Sequence, residues 1–432
     1  MKRSTIRWAG VAAVAALALT ACSSGSDDPE PGGGEVDTSA VLNYTTTGGI
    51  VSFDPHKTRS SSDFILLNLI YARLVHQDVD GDPVPGLAES WQFSDDMRTL
   101  TLTLREGLSF SDGQPFDAEA VKANLERAME PDSITSPLLK AIDTANVVDA
   151  RTVELALNRP GAHLVLTLSD LPGMMVSPAA FANPDQLATQ PVGIGRFELQ
   201  RMDPGARYEL VASDDYWDPE ALKLAGFNID VITDPETSLN AVRSGEYDCA
   251  LVSPAMIAPA EQIPDATVKA RTVLTQTVLY FNQTKGVLQD PAVRRAINLA
   301  VDREAVLQAA QEGQGEAARG LFPEDYFVPN EPVADLVAYD PDAARQLLAD
   351  AGYTDGLEFT VLTLTIPQFR TTAEIIADQL AQIGITMHIQ ALPPQDMSVQ
   401  FLQGEGDAVI TGWVGRPDPA MLFSAYFEED AP

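Results

Sequence analysis

The side-chain types that usually do chemistry are thinly spread in this chain. The four histidines, His56, His76, His163 and His388, are scattered, and none has the spacing of a metal site. There is no GxSxG, no HExxH and no Walker loop. Gly193-Ile194-Gly195 is a fragment of a dinucleotide fingerprint and reads better as a turn. Asp78, Asp80 and Asp82 around Gly81 resemble a calcium loop, but the glycine is misplaced and the spaced Glu is missing. A solvated turn between strands is the expectation there. Cys249 lies in a segment expected to be a strand, Tyr247 to Val252, with no histidine near it in sequence. It is expected to be a buried, inert thiol. Carboxylates are abundant, yet none stands out as an acid–base pair. The absence of catalytic motifs lowers the odds of an enzyme without excluding one, and no cofactor and no bound metal are expected.

The other cysteine, Cys22, has a distinctive setting. Lys2, Arg3 and Arg7 precede an apolar run over residues 8–21. A membrane span needs about 20 residues, so this run fits the h-region of a secretory signal instead. Leu19-Thr20-Ala21-Cys22 closes it and looks like a bacterial lipobox, with cleavage before Cys22 and lipid on its sulfur. The alternative is an ordinary signal with a chance cysteine. Residues 1–21 are therefore assigned to a lipoprotein signal peptide and 22–40 to a flexible linker. Ser23 to Ala40 has Val36 as its one sizeable apolar side chain and cannot bury enough surface to fold. As a flexible tether it would reach roughly 20–25 Å. The expected place is outside the cytoplasmic membrane, anchored to it through the lipid.

Composition bounds the rest. The chain has 432 residues, too many for one core, and is 45% hydrophobic, which rules out wholesale disorder. Its 62 acidic and 28 basic residues give a net charge of −34, which repels phosphate backbones and argues against nucleic acid as a partner.

The elements that must position any site read as mixed α/β. Leu100, Leu102 and Leu104 alternate with threonines, as in a half-buried strand. Asp117 is a plausible N-cap for a helix carrying Val121, Leu125, Ala128 and Met129. Asp290-Pro291 starts a helix with Val293, Ala296, Ile297, Ala300 and Val301 on one face, which Gly313 can end. Asp340-Pro341 repeats the device and Gly352 closes that helix. Thr371 and Glu374 are spaced as a capping box before the Ile376, Leu380 and Ile383 stripe. Flanking strands, Phe359 to Ile366 and Ile385 to Gln390, complete a βαβ unit and imply a parallel sheet.

An ordered series of short motifs resembles one family along most of the chain. Pro85-Gly86-Leu87-Ala88-Glu89-Ser90-Trp91 and Leu104 to Gly113 resemble its "P-LA-SW … F-LR-G-F-DG" signature. Gly193 to Phe197 resembles its "GTGPY" turn and Asp215-Tyr216-Trp217 its "YW" segment. Phe281-Asn282, Asp290 to Arg303, Asp340 to Tyr353, and Gly412-Trp413 followed by Asp418-Pro419 continue in the family's order. The family is the family 5 extracytoplasmic solute-binding proteins of ABC importers, which serve peptides, nickel and some other solutes. The resemblance implies an α/β, two-lobed periplasmic-binding-protein-like fold, type II and in three parts, with mixed sheets. It places lobe I in residues 41–60 and 190–274, an inserted subdomain in 61–189, and lobe II in 275–432.

The same resemblance implies a function and a site. The chain would be a monomeric, lipid-anchored receptor that captures a peptide or related small solute in an interlobe cleft and delivers it to permease subunits. Trp413, Val414, Gly415 and Arg416 are the expected ligand-binding run, with Asn282 near the crossover between lobes. Asn282 is either a hinge residue or a strand-edge asparagine satisfying backbone groups. Trp413 either stacks on ligand or packs between strands. In peptide-binding members an aspartate that pairs with the ligand's α-ammonium follows the "GW" motif. Arg416 stands in its place here. A cation would repel an ammonium and could fork onto a carboxylate or phosphate, or hydrogen-bond a sugar. The alternative is that Arg416 points to solvent and another acid does the job. The ligand readings are thus a peptide, or an oligosaccharide or other non-peptide solute, with nickel less favoured for want of clustered His or Cys. The rival classes are an exported enzyme with carboxylate catalysis and a surface interaction or signalling protein. Family members continue past "GW … DP", so the chain is expected to lack a C-terminal part of lobe II and the return to lobe I.

Overall fold

Three sheets carry the architecture. The computed structural model describes residues 37–58, 63–271, 273–320, 322–323, 336–415 and 418. Cys22 and the whole leader lie outside the described residues. The first strand is β1 (Val41–Thr46), followed by a helix, Asp63–Ile70, and a small hairpin of β2 (Val75–Gln77) and β3 (Pro83–Pro85). Next come β4 (Ala88–Phe93), β5 (Thr99–Leu104), β6 (Ile142–Asp149) and β7 (Thr152–Leu157), an antiparallel sheet in the order β4-β5-β7-β6. The chain then returns to β1 with β8 (Phe197–Asp203), β9 (Arg207–Ala212), β10 (Gly226–Val231) and β11 (Cys249–Ala250), in the order β11-β1-β10-β9-β8. β1 is parallel to both β10 and β11. The last sheet holds β12 (Thr275–Phe281), β13 (Leu357–Leu364), β14 (Ile385–Leu392) and β15 (Ala408–Val414), ordered β12-β15-β13-β14. β13 is parallel to β14 and β15, while β12 runs antiparallel beside β15.

Each sheet owns a core. Leu100, Leu102 and Leu104 of β5 are fully buried with Val121 and Leu125 of the Ala118–Ala128 helix. Asp117 caps that helix, accepting from Ala120 N at 3.0 Å. A second core joins Phe53, Leu67, Tyr71, Tyr208 and Ile229. The Asp63–Ile70 helix packs here, against the five-stranded sheet. The third gathers Val293 and Ile297 with Val361, Leu380, Ile385 and Ile410.

Three local expectations need correction. The helix from Pro291 does not run to Gly313. It spans Pro291–Ala300, Val301 is extended, and a second helix, Arg303–Gln311, starts from the Asp302 cap. The break is stabilised by Arg303, whose guanidinium donates to the carbonyls of Asn298, Val301 and Val337 at 3.0–3.3 Å. These are carbonyls that a helix end would otherwise leave without donors. Asp302→Ala should therefore cost about 1 kcal/mol in urea unfolding. An unchanged midpoint would mean that Arg303 alone holds the break. Second, Thr371 starts nothing: the helix begins at Pro367, and Glu374 pairs with Arg370 at 3.2 Å. Proline at the first turn outcompetes the later box. Third, Cys249 is exposed, not buried, because β11 is a two-residue strand at the sheet edge.

Candidate ligand-binding site

Open α/β sheets bind ligands beyond the carboxyl ends of their parallel strands, where loops converge and backbone donors point outward. In the first sheet that edge lies after Thr46, Val231 and Ala250. In the last sheet it lies after Leu364, Leu392 and Val414. Exposed apolar side chains sit in these places: Val51 after β1, Leu251 after β11 and Ile366 after β13. Val273 is exposed too, just before the chain enters β12.

The loop after β1 is held in shape from several sides. Val51 N and Ser52 N donate to the buried Asp63 carboxylate at 2.9 and 3.1 Å, and Thr58 Oγ1 donates to it as well. Ile50 N donates to Tyr208 Oη at 2.8 Å, and Tyr71 Oη donates to Phe53 O at 2.9 Å. Below the loop sits a buried charge group. Arg127 forks onto Asp54 and donates to His56 Nδ1 at 2.9 Å. Burial alone would push the Asp54 acid up, but the Arg127 hydrogen bonds and charge hold it below the usual carboxylate range. Burial, then the Arg127 charge, depresses His56 to about 3, so it is neutral. Nothing in the sequence marked these three as partners; they are 71 and 73 residues apart.

The structure brings part of the expected run to the carboxyl edge. Trp413 lies opposite Gln276 and Val414 opposite Thr275 in the β15–β12 register. Gly415 N donates to Leu274 O at 2.6 Å. A Cβ on Gly415 would overlap Leu274 O and Cβ. The run therefore lies beside the point where the chain passes into the last sheet. Gly412 lies close over Phe369 in the first turn of the Pro367 helix, where a Cβ would come 3.2 Å from the ring. Arg416 lies outside the described residues. Asn282 belongs elsewhere. Because β12 is antiparallel to β15, Asn282 sits at the amino end of β15, its N–H donating to Asp407 O at 2.8 Å. Its Oδ1 accepts from Thr284 N at 3.0 Å and Thr284 Oγ1 at 2.6 Å. That is local turn chemistry at the opposite edge from Gly415. Leu274, Val51, Leu251 and Ile366 were missed by motif reading. For Val51, Leu251 and Ile366 the signal was an apolar residue past a strand's carboxyl end, whereas Leu274 directly precedes β12.

Gly415→Ala should force β15 away from Leu274 and cost about 1–3 kcal/mol, the usual penalty of overpacking. Urea unfolding measures it, and an unchanged midpoint would mean that the junction yields freely.

The model of the bacterial extracellular solute-binding proteins, family 5, matches residues 82–431. This chain belongs to that family. The glutathione-binding protein GsiB of Salmonella paratyphi A is 30% identical over 401 residues, covering 88% of this chain and 75% of that protein. Di/tripeptide-binding protein 1 of Pseudomonas aeruginosa is 26% identical over 428 residues, covering 90% and 79%. Among solved structures, DppA of Helicobacter pylori in complex with the peptide STSA superposes with a TM-score of 0.78 at 25% identity. It covers 89% of this chain and 80% of DppA. AgaA of A. tumefaciens R10 in complex with agropinic acid gives 0.78 at 27% identity, covering 90% and 81%. The fold is thus the two-lobed periplasmic-binding-protein fold with mixed sheets. Family 5 proteins are extracytoplasmic substrate-binding components of ABC importers and not enzymes, and this chain is one of them. Among the described residues, no helix is long and apolar enough to cross a membrane and no acid, His or Cys cluster could hold a metal.

Proposed function

We propose that this chain is the lipid-anchored receptor of an ABC importer, tethered at Cys22, which captures a peptide or related small solute between its lobes as a monomer and delivers it to the permease. The observation that carries the reading is the family match over residues 82–431. The relatives named as glutathione-binding and di/tripeptide-binding favour short peptides as ligand. The basic n-region, short apolar run and Leu-Thr-Ala-Cys ending favour the anchor. The carboxyl-edge residues Trp413, Val414 and Gly415 supply the second lobe's ligand surface, with Arg416 following them. Asn282 is left out of that surface because it lies at the other edge of the sheet.

A second reading rests on Arg416. A guanidinium where peptide binders carry an acid favours a ligand with a carboxylate, phosphate or hydroxyls at that point. The neighbour solved with agropinic acid is consistent with a non-peptide ligand.

Thermal melts of the purified chain separate the two. Mixed short peptides, the same peptides N-acetylated, and a panel of acidic sugars and oligosaccharides are added in turn. A ligand at 100 times its Kd should add about 2.7 kcal/mol and raise the melt by a few degrees. A shift with free-amine peptides alone supports the peptide reading. A shift with acetylated peptides or sugars supports the second. Absence of any shift across the panel counts against both. Fatty-acid labelling that survives Cys22→Ala would overturn the anchor.

A further inference from the structure

In a chain with 62 acids and 28 bases, one place on the first lobe gathers more cations than acids. Arg105 and His76 lie against Trp217 there, and Arg73 and Arg196 stand near enough to His76 for their charges to act on it. The Arg105 guanidinium lies 4.0 Å over the Trp217 ring. The His76 ring is 6.1 Å from the Trp217 ring, and Tyr216 stands 5.4 Å from it. Two of the arginines are anchored to carbonyl oxygens: Arg73 Nη1 to Ser169 O at 3.0 Å and Arg105 Nε to Gly86 O at 2.7 Å. Gly86 has no room for a side chain, since a Cβ would meet Arg73 O and His76 Cδ2. The Arg73 carbonyl and the His76 ring thereby both flank Gly86. The charge of exposed Arg196 acts on both Arg73 and His76. The facing carboxylates are Asp170, toward Arg73, and Asp218, toward His76.

Two of the buried nitrogens without a hydrogen-bond partner among the described residues lie here, His76 Nε2 and Trp217 Nε1. A buried donor without an acceptor costs free energy unless something supplies one. The field is positive as well. Burial, then the Arg73, Arg196 and Arg105 charges, depresses His76 to about 4. Burial lowers the Arg73 guanidinium too, with Arg196 adding to the effect. Guanidinium forks and ring N–H donors in a partly desolvated place suit one ligand chemistry, an oxyanion.

We propose that Arg73, His76, Arg196 and Trp217 form a binding site for a small oxyanion of the phosphate, sulfate or carboxylate type. It is separate from the carboxyl-edge site. Arg196 directly precedes β8, and Phe197 pairs with Ala212 near the Gly226 end of β10, which is that strand's amino end. The solute-capture surface lies at the carboxyl end of the same sheet.

The test is a titration of the purified chain with sodium sulfate and sodium phosphate, against sodium chloride at equal ionic strength, reading the melting temperature. The expected result is a saturating rise with at least one of the two anions. Arg196→Ala, an exposed substitution that should fold, should weaken the apparent affinity roughly tenfold or more. Arg416→Ala should leave it unchanged. Crystals soaked in selenate should show an anomalous peak beside Arg73 and Arg196. No saturating rise with either anion overturns the proposal. So does an undiminished rise in Arg196→Ala, a loss confined to Arg416→Ala, or a selenate peak elsewhere. A failed solute panel with a retained Arg196-dependent anion effect would separate this site from the capture reading.

Discussion

Replacing Arg127 with methionine should lower folding stability by about 3–5 kcal/mol, the range seen when one partner of a buried ion pair is removed. The Asp54 side chain is only 3% exposed and the Arg127 side chain 10%. Arg127 gives one arm to each carboxylate oxygen of Asp54, and the arm on Oδ1 also reaches His56. Its guanidinium lies 4.9 Å from the Phe181 ring centre. Methionine fills comparable volume but donates nothing. The bared carboxylate must stay charged and unpaired or take up a proton, and either route favours unfolding. The effect is large also because of where the pair sits. Asp54 lies on the segment after β1, and Arg127 ends the Ala118–Ala128 helix that packs on the four-stranded sheet. The neighbouring Ile134 N–His56 O bond at 3.0 Å crosses the same seam. Losing Arg127 thus loosens two cores against each other and frees the loop that carries Val51. Urea unfolding of Arg127→Met, Asp54→Asn and the double variant measures this. The double should recover much of the loss, since no charge is left bare. A single-variant loss below 1 kcal/mol would mean that water reaches the pair.

How much of this was legible depended on the range of the interaction. Asp117, Asp290 and Asp340 were read as helix caps because a cap is settled within three residues. The alternation of β5 was read because a strand half-buried on one face must alternate. Val301-Asp302 failed for the opposite reason. Apolar spacing ran smoothly through it, and the break is held by Arg303 reaching to Val337, a contact that no local pattern records. Cys249 failed because burial follows strand order, and β11 is an edge. The run at Trp413 to Gly415 was singled out by likeness of motif, and it lies at the carboxyl edge of the last sheet. The reason it lies there, the antiparallel pairing of β15 with β12, is a fact of topology. The same topology moved Asn282 to the far edge. The Asp54–His56–Arg127 group and the cations around Trp217 were invisible, because each joins residues far apart in sequence.

Acid should destabilise this protein well before its carboxylates titrate. His56 is fully buried, and in the folded chain its pKa is held down to about 3, against an ordinary value near 6.5. Between those two values the unfolded chain carries a proton on His56 that the folded chain does not. Stability contributed by the neutral His56 is therefore present above pH 6.5 and lost as pH falls toward 3. From pH 7 to pH 5 the loss from this residue is about 2 kcal/mol, at roughly 1.4 kcal/mol per pH unit once the unfolded histidine is charged. His76, held to about 4, acts with the same sign over the same window. The lowered Asp54 acid adds to the loss only below the range of an ordinary carboxylate, so it does not confuse a measurement above pH 5. Urea midpoints at pH 7 and pH 5 should show the decline, and His56→Gln should remove about 2 kcal/mol of it. A variant with the parent's pH dependence would mean that His56 takes up its proton in the folded state near the ordinary value. The Arg127 charge, 2.9 Å from Nδ1, argues against that, because a protonated ring would face a cation with no acceptor left for it.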